Sequence, residues 1–366
     1  MDPLTHTLVG ASLAKTGLKK LSPYATTTLI LGANAPDIDA ITMLIDRGLS
    51  LGFRRGWTHG VLALIILPIL LALSIHFIDK FLSSIRQRAH VTKLPPLLVL
   101  SYISVLTHPV LDWLNTYGVR FLMPFSDRWF YGDALFIIDP WVWLLLGAGL
   151  FMTLSQSLAN ITAWVGVCII TTALVTVTPI VPPLAKIVWV MSITGIAVLR
   201  IRCASNWKVE RNTKIGLSIA CVYAVLMIGG SRIAERQVED WLTNRGITFS
   251  AIMAGPLPAN PFVRDIIVAD RHHYHFLELN WLSENMIRIA GPSVDHGGDG
   301  AIVRAALTAP HVRGLRTWMR FPAFTIEILS DGYRVSIRDV RYARGASSGF
   351  AETVVILDSE LSPKLD

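Results

Sequence analysis

The chain has 366 residues, of which 52% are hydrophobic and only 16% are charged. Soluble globular domains carry about 25% charged residues, so this composition excludes an ordinary soluble domain and indicates a protein that uses lipid as part of its solvent. The net charge of +7 at pH 7 does not predict nucleic-acid binding, because most basic residues lie in short loops between apolar segments, where they set membrane orientation.

Apolar segments dominate the first 232 residues. The longer ones can cross a hydrocarbon core of about 30 Å at ~1.5 Å per helical residue, and the first, rich in Gly, Ala and Thr, is short enough to cross only half of it. We predict an all-α polytopic membrane bundle over residues 1–232, with apolar segments at 4–18, 24–34, 60–78, 97–114, 135–154, 161–181, 184–199 and 215–230.

The character of the chain changes after Arg232, where charges become frequent and long apolar runs end. The stretch 333–342 alternates apolar and polar residues, which predicts a strand, and 266–269 and 353–357 predict two more. We therefore predict a soluble mixed α/β domain over 233–366. Its histidine cluster, at His272, His273 and His275, is read as a solvated strand or loop in preference to a metal site.

Two basic loops, 79–94 and 200–214, predict the orientation of the bundle, because such loops stay in the cytoplasm. Alternating the segments from these loops predicts a multi-pass protein of the cytoplasmic (inner) membrane with its C-terminal domain outside the cytoplasm. The same threading collects six polar residues at the outer membrane face: His6, Asp37, Asp39, His59, His108 and Asp112.

His108 and Asp112 are four residues apart within an apolar segment, so both project from one helix face. Ionisable groups inside a membrane are costly unless they are paired or bound, and imidazole and carboxylate are good ligands for divalent metals. The alternative is a buried His–Asp hydrogen bond that holds two helices together.

The remaining polar residues also allow two interpretations each. Asp37 and Asp39 either bind metal or cap a helix, and Arg54 and Arg55 either grip a phosphate or carboxylate group or anchor the chain at the lipid headgroups. His6 gains significance only from the other five residues. Asn115 either supports the metal ligands or marks a helix end, and Asp139 either supports them or caps a helix.

Four stretches, taken in order, resemble the YdjM-like family of predicted membrane-bound metal-dependent hydrolases. They lie within the first 140 residues and are His6 with Gly10, Pro36-Asp37-Ile38-Asp39, Arg55-Gly56-Trp57-Thr58-His59, and His108 with Asp112 leading into Thr116 and Gly118. The sequence departs from the family at Gly60, where Ser is frequent, and at Arg54, where some members have His. The His108 and Asp112 pair also resembles the His-x-x-x-Asp ligands of the more distant zinc-dependent phospholipase C enzymes.

These observations and the resemblance together predict a metal-dependent hydrolase that cleaves an ester or phosphoester bond of a lipid or lipid-linked substrate. We expect one to three Zn²⁺ ions, or another divalent metal, held by the six residues of the outer face. Asp39 is the candidate base, and Arg54 or Arg55 would hold the anionic group of the substrate. The alternatives are a non-enzymatic metal or ion transporter and a membrane scaffold with a structural metal.

Overall fold

The computed structural model describes residues 1–202, 209–344 and 349–364. Residues 203–208 of the predicted basic loop 200–214 lie outside these ranges, so this part of the orientation prediction lies outside the described residues. The chain forms two compact units, each assembled from separate segments. Unit 1 comprises Met1–Ile38, Trp57–Ser231 and Gly255–Pro261, and unit 2 comprises Asp39–Gly56, Arg232–Ala254 and Phe262–Asp366.

Helices make up most of the chain before residue 244. They are α1 (Pro3–Lys15), α2 (Ala25–Asn34), α3 (Arg47–Phe53), α4 (Val61–Ile85), α5 (Leu94–Trp113), α6 (Pro140–Leu154), α7 (Leu158–Val177), α8 (Pro183–Arg202) and α9 (Val209–Thr243). Within the described ranges, five of them are long and apolar enough to cross a membrane: α4, α5, α7, α8 and the Arg211–Thr243 part of α9. The predicted polytopic helical bundle is confirmed, and the protein is a multi-pass membrane protein.

Three helices of unit 1, α1, α6 and α7, begin at a side-chain cap, and the helices pack around an apolar core. The Asp139 carboxylate accepts hydrogen bonds from the backbone N–H groups of Trp141 (3.0 Å) and Val142 (3.1 Å) at the start of α6. Asp139 is therefore a helix cap, which is one of its two predicted roles. The core between α1, α6 and α8 is filled by side chains such as Leu8, Leu146, Leu150 and Trp189.

Unit 2 contains most of the C-terminal strands. They are β1 (Ala251–Leu257), β2 (Asn260–Ala269), β3 (His273–Asn280), β4 (Ile287–Ile289), β5 (Val294–Asp295), β6 (Pro322–Leu329), β7 (Gly332–Asp339) and β8 (Glu352–Asp358). One sheet has the order β1-β2-β3-β4, with β5 also pairing with β3, and the other has the order β6-β7-β8. The pairs β2–β3, β6–β7 and β7–β8 are antiparallel.

The three predicted strands lie within β2, β7 and β8, which confirms the mixed C-terminal domain. β7 ends at Asp339, earlier than the predicted 342, because the Asp339 carboxylate accepts a hydrogen bond from the Arg341 backbone N–H (3.0 Å). This bond turns the chain out of the sheet. His273 and His275 lie on β3, in agreement with the strand interpretation of the histidine cluster.

Unit 2 also takes in α3, although this helix falls inside the predicted domain 1–232. It packs against α11 (Arg313–Trp318), which follows α10 (Ala301–Ala306). The contact is made by glycines: a Cβ on Gly314 would lie 1.6 Å from the Gly48 carbonyl oxygen, and one on Gly52 would lie 2.8 Å from the Gly314 Cα. Any side chain at Gly314 would separate the two helices.

Candidate metal site

The end of α5 places His108 and Asp112 one turn apart, and Asp112 is the centre of a buried polar cluster in unit 1. Its Oδ2 lies 3.2 Å from His59 Nε2 and 3.5 Å from His108 Nε2, and its Oδ1 lies 3.3 Å from His6 Nε2. The Met1 amine forms an ion pair with the same carboxylate. The imidazoles of His6 on α1, of His59 just before α4 and of His108 on α5 therefore all lie close to the Asp112 carboxylate.

Asp37 completes the cluster from the 3-10 helix Ala35–Leu44, with its Oδ1 3.7 Å from His108 Nε2. Ligand atoms of Asp37, His59, His108 and Asp112 all lie within 4.8 Å of one another. His6 adjoins this group, and its ring stacks on His108 with 3.8 Å between the ring centroids. The structure thus brings together five of the six residues predicted as metal ligands.

Two glycines let the helices that carry these side chains approach closely. A Cβ on Gly10 would lie 2.5 Å from the Leu29 carbonyl oxygen, so α1 packs directly on the backbone of α2. A Cβ on Gly32 would lie 1.9 Å from Ser104 Oγ, so α2 packs equally tightly on α5. The small residues bring helix backbones together as in other membrane bundles.

The close approach of α2 and α5 fixes the tautomer of His108. The Ala33 carbonyl oxygen lies 2.6 Å from His108 Nδ1, so Nδ1 carries the proton and donates it, and the Nε2 lone pair faces the cluster. His59 Nδ1 lies 2.9 Å from the Thr58 hydroxyl, which leaves its Nε2 directed at Asp112. Metal-binding histidines are oriented in this way, with the second ring nitrogen held by a carbonyl or another polar group.

The electrostatics of the cluster favour a bound cation. The side chains of His6, His59, His108 and Asp112 are 0% exposed, and that of Asp37 is 17% exposed. Asp112 lies in the last turn of α5, where the helix dipole already places partial negative charge. Burying the Asp112 carboxylate at such a position is costly unless positive charge, from the Met1 amine or from a bound cation, compensates it.

The donor atoms lie within 4.8 Å of one another, and several of their separations are close to those of a tetrahedral metal site. Zn–N and Zn–O bonds of about 2.0–2.2 Å imply ligand-to-ligand separations of about 3.3–3.6 Å in a regular tetrahedron. His59 Nε2 lies 3.1 Å from His108 Nε2, and the other separations in the group include 3.2, 3.5 and 3.7 Å. His6 Nδ1 is buried and, within the described ranges, has no hydrogen-bond partner. The donor set fits a Zn²⁺ ion or a similar divalent metal.

The other three predicted site residues, Asp39, Arg54 and Arg55, belong to unit 2. Asp39 Oδ2 accepts a hydrogen bond from the Arg55 backbone N–H (2.9 Å), and Asp39 Oδ1 lies 3.7 Å from Arg54 Nε. Asp39 therefore joins the residues before α3 to those after it. It is not among the four residues whose ligand atoms converge in the described part of the chain. Its role as a metal ligand or base stays a prediction.

The sequence did not reveal two groups that orient the ligands. The Ala33 carbonyl is a backbone atom and leaves no mark on the residue type. Thr58 directly precedes His59, and that adjacency was the available signal. Thr58 places a hydroxyl 2.9 Å from His59 Nδ1, whereas Gly60, where the family often has Ser, has no room for a side chain, because its Cβ would lie 2.4 Å from the Met123 carbonyl oxygen.

The fold and the site together define a multi-pass membrane protein with a buried cluster of His and Asp residues that could hold a metal ion. Residues 1–182 of the 366 match the family described as YdjM inner membrane protein, so this part of the chain is similar to that family. The more distant resemblance to zinc-dependent phospholipase C stays a prediction.

The chain is also similar to an uncharacterized protein, YfhP of Bacillus subtilis (strain 168). The two are 26% identical over 158 residues, which is 39% of this chain and 43% of YfhP. The chain thus spans less than half the length of this relative. No solved structure matches the chain.

Proposed function

We propose that the protein is a membrane-bound metal-dependent hydrolase whose metal is held by Asp37, His59, His108 and Asp112, with His6 adjoining. This proposal is supported by the convergence of imidazole Nε2 atoms and carboxylates in one buried cluster. The Nδ1 atoms of His108 and His59 are meanwhile hydrogen-bonded to the Ala33 carbonyl and the Thr58 hydroxyl. When bound, Zn²⁺ would lower the pKa of a water molecule from about 15.7 to about 7.

The residues of the chain would divide the remaining work. The Ala33 carbonyl would keep the His108 imidazole in orientation, and the Thr58 hydroxyl would do the same for His59. Asp112 would hold both imidazoles close to each other. Asp37 is the only partly exposed member of the four-residue group, so water and substrate would reach the cluster there. Asp39 follows Asp37 by two residues and would act as the base, and Arg54 or Arg55, shortly before His59, would hold the anionic group of the substrate.

The substrate we propose is a lipid or lipid-linked ester or phosphoester at the outer face of the membrane. This orientation rests on four basic residues: Lys80 near the end of α4, and Arg86, Arg88 and Lys93 between α4 and α5. They lie at the end of these two helices opposite to His59 and Asp112. Labelling of a cysteine introduced at position 300 with a membrane-impermeant reagent should succeed in intact cells. Labelling only after permeabilisation would reverse the orientation and the location of the site.

A transporter is the weaker alternative, because a translocation path needs polar groups through the whole bilayer. α7 carries no Asp, Glu, Lys, Arg or His, and in α8 the charged residues are Lys186 near its start and Arg200 and Arg202 at its end. The polar cluster instead lies at one end of α4 and α5. A scaffold with a structural metal is distinguished by activity: turnover that is lost with the metal would count against it.

The first experiment measures the metal content of the purified full-length protein by elemental mass spectrometry. The His108→Ala/Asp112→Ala variant removes two ligands, and His272→Ala/Asp299→Ala is a matched control at exposed positions. We expect one to three equivalents of zinc in the wild type and the control, and loss of zinc in the site variant. If neither form binds metal and the site variant folds normally, the cluster around Asp112 is a set of helix-packing hydrogen bonds with His6 and His59.

If zinc is present, hydrolysis of fluorogenic lipid ester and lipid phosphodiester probes is measured before and after chelation. Activity that disappears with chelation, returns with zinc and is absent from the site variant would support the hydrolase. A zinc-loaded protein that is inactive on both probe classes would favour the scaffold.

A further inference from the structure

Unit 2 contains a cleft that is separate in its residues from the metal cluster. It has a volume of about 720 Å³, and its lining comes from the start of α3, from residues between α10 and α11, from α11 itself and from the end of the described chain. This volume falls within the range of about 300–1,000 Å³ that is typical of small-molecule sites. The charged or titratable lining residues are Asp46, His311, Arg313, Arg316 and Lys364.

The positive charges of the cleft exceed its negative charge. Among the residues that the structure describes, Asp46 is the one carboxylate in the lining, and its Oδ1 already accepts hydrogen bonds from the backbone N–H groups of Gly48 (2.7 Å) and Leu49 (3.1 Å). Lys364 forms an ion pair with Asp331, outside the lining. The two arginines are therefore the cations on which an anionic ligand would depend.

The guanidinium groups of Arg313 and Arg316 carry charge that no carboxylate in the described ranges neutralises. Arg316 Nη1 donates a hydrogen bond to the Leu307 carbonyl oxygen (3.1 Å), which is a neutral acceptor. For Arg313, no side-chain hydrogen bond or ion pair is formed with residues of the described ranges, and both arginines are exposed. They are three residues apart on α11, so they project on the same side of the helix.

The wall that carries the arginines is held rigidly. α11 packs on α3 through the glycine contact at Gly314, where the Gly48 carbonyl oxygen leaves no room for a side chain. The cleft is therefore shaped by two helices whose separation cannot change without loss of this contact. A rigid frame reduces the ordering cost that binding a ligand would otherwise carry.

We propose that this cleft binds an anionic phosphoester, with Arg313 and Arg316 donating hydrogen bonds to the phosphate oxygens. Arginine provides planar, paired donors that match a phosphate group. The volume is large enough for a phosphate with its organic substituent, so a glycerophosphate-sized group is the expected ligand. This group belongs either to a soluble phosphoester or to the headgroup of an anionic phospholipid.

The test uses the full-length protein in nanodiscs of zwitterionic phosphatidylcholine at low salt, where surface charges are least screened. One arm titrates glycerol 3-phosphate and measures binding by calorimetry. The other arm offers mixed phosphatidylglycerol and phosphatidylcholine and measures the retained lipid by native mass spectrometry. The variants are Arg313→Gln/Arg316→Gln and the single change Arg313→Glu, with Arg271→Gln/Arg288→Gln as a control of equal charge loss at exposed positions.

We expect wild type and control to bind alike and the cleft variants to bind at least tenfold more weakly. Binding of glycerol 3-phosphate with no selection of phosphatidylglycerol identifies a soluble ligand, and selection of phosphatidylglycerol alone identifies a lipid headgroup. The proposal is overturned if the wild type binds neither probe or if the control weakens binding as much as the cleft variants do. It is equally overturned if correctly folded Arg313→Glu protein binds like the wild type. None of these results depends on metal at Asp112.

Discussion

The packing of α2 on α5 allows a prediction with a magnitude that comes from the structure. In a Gly32→Ala variant the new Cβ would lie 1.9 Å from Ser104 Oγ and 2.9 Å from Ser104 Cβ, whereas ordinary contacts begin at 3.4 Å. Ser104 Oγ donates to the Leu100 carbonyl oxygen (2.9 Å), which resists its displacement. If the side chain does not yield, α2 must retreat by about 1.5 Å, the difference between 3.4 and 1.9 Å.

That retreat would reach the metal cluster through the next residue. The Ala33 carbonyl oxygen lies 2.6 Å from His108 Nδ1, and a shift of about 1.5 Å along this line would exceed the roughly 3.2 Å limit of a hydrogen bond. Overpacking of this kind costs about 1–3 kcal/mol of stability. Loss of the partner that orients a metal-binding histidine lowers metal affinity about 10–100-fold.

The assay measures thermal unfolding in detergent and zinc affinity by competition with a chromophoric chelator. Gly166→Ala is the matched control, because Gly166 lies in α7 with nothing within 4 Å of its Cβ position, and helix propensity alone makes this change neutral or slightly stabilising. The double variant Gly32→Ala/Ser104→Gly removes both close contacts with Ser104 and should recover most of the lost zinc affinity.

Two results would refute this reasoning. If Gly32→Ala unfolds at the wild-type temperature and keeps the wild-type zinc affinity, the α2–α5 contact does not hold His108. If Gly32→Ala loses zinc affinity and the Ser104→Gly change does not restore any of it, the loss does not come from the collision with Ser104.

The C-terminal domain supports two further predictions. Burial favours the protonated form of Asp339, but Arg341 and backbone N–H groups outweigh it and hold the pKa of Asp339 below its ordinary value. The ionised carboxylate therefore stabilises the folded domain fully above the unfolded-state pKa of about 3.9. This contribution is lost as the pH falls through the lower folded-state pKa. Asp339→Asn leaves Arg341 buried without its charge partner (2.8 Å), and should cost about 3–5 kcal/mol and flatten the acid dependence of hydrogen exchange in β6–β8. Gly314→Ala should lower amide protection in α3 by about 1–3 kcal/mol, because its Cβ would lie 1.6 Å from the Gly48 carbonyl oxygen. Gly291→Ala is the control and should have no effect, because nothing lies within 4 Å of its Cβ position. Unchanged protection in Asp339→Asn, or equal effects of the two glycine changes, would contradict these expectations.

The sequence by itself determined the class of protein and the position of the main elements. A run of apolar residues long enough to cross lipid is a local property, so the candidate spans could be located without knowledge of their neighbours. Alternation along 333–342 predicted β7 for the same reason. The convergence of His59, His108 and Asp112 was also anticipated, because the basic loops and the count of crossings placed these residues at one end of the bundle.

Only the tertiary structure decided which of the convergent residues come within ligand distance and what holds them. Asp37 and Asp39 are equivalent in the sequence, yet only Asp37 joins the four-residue group in the described part of the chain. The Ala33 carbonyl that fixes His108 is a backbone atom, and its distance depends on how closely Gly32 lets two helices approach. The association of α3 with α11 likewise joins residues more than 250 positions apart. Such contacts depend on the packing of surfaces distant in the chain, and local residue patterns carry no record of them.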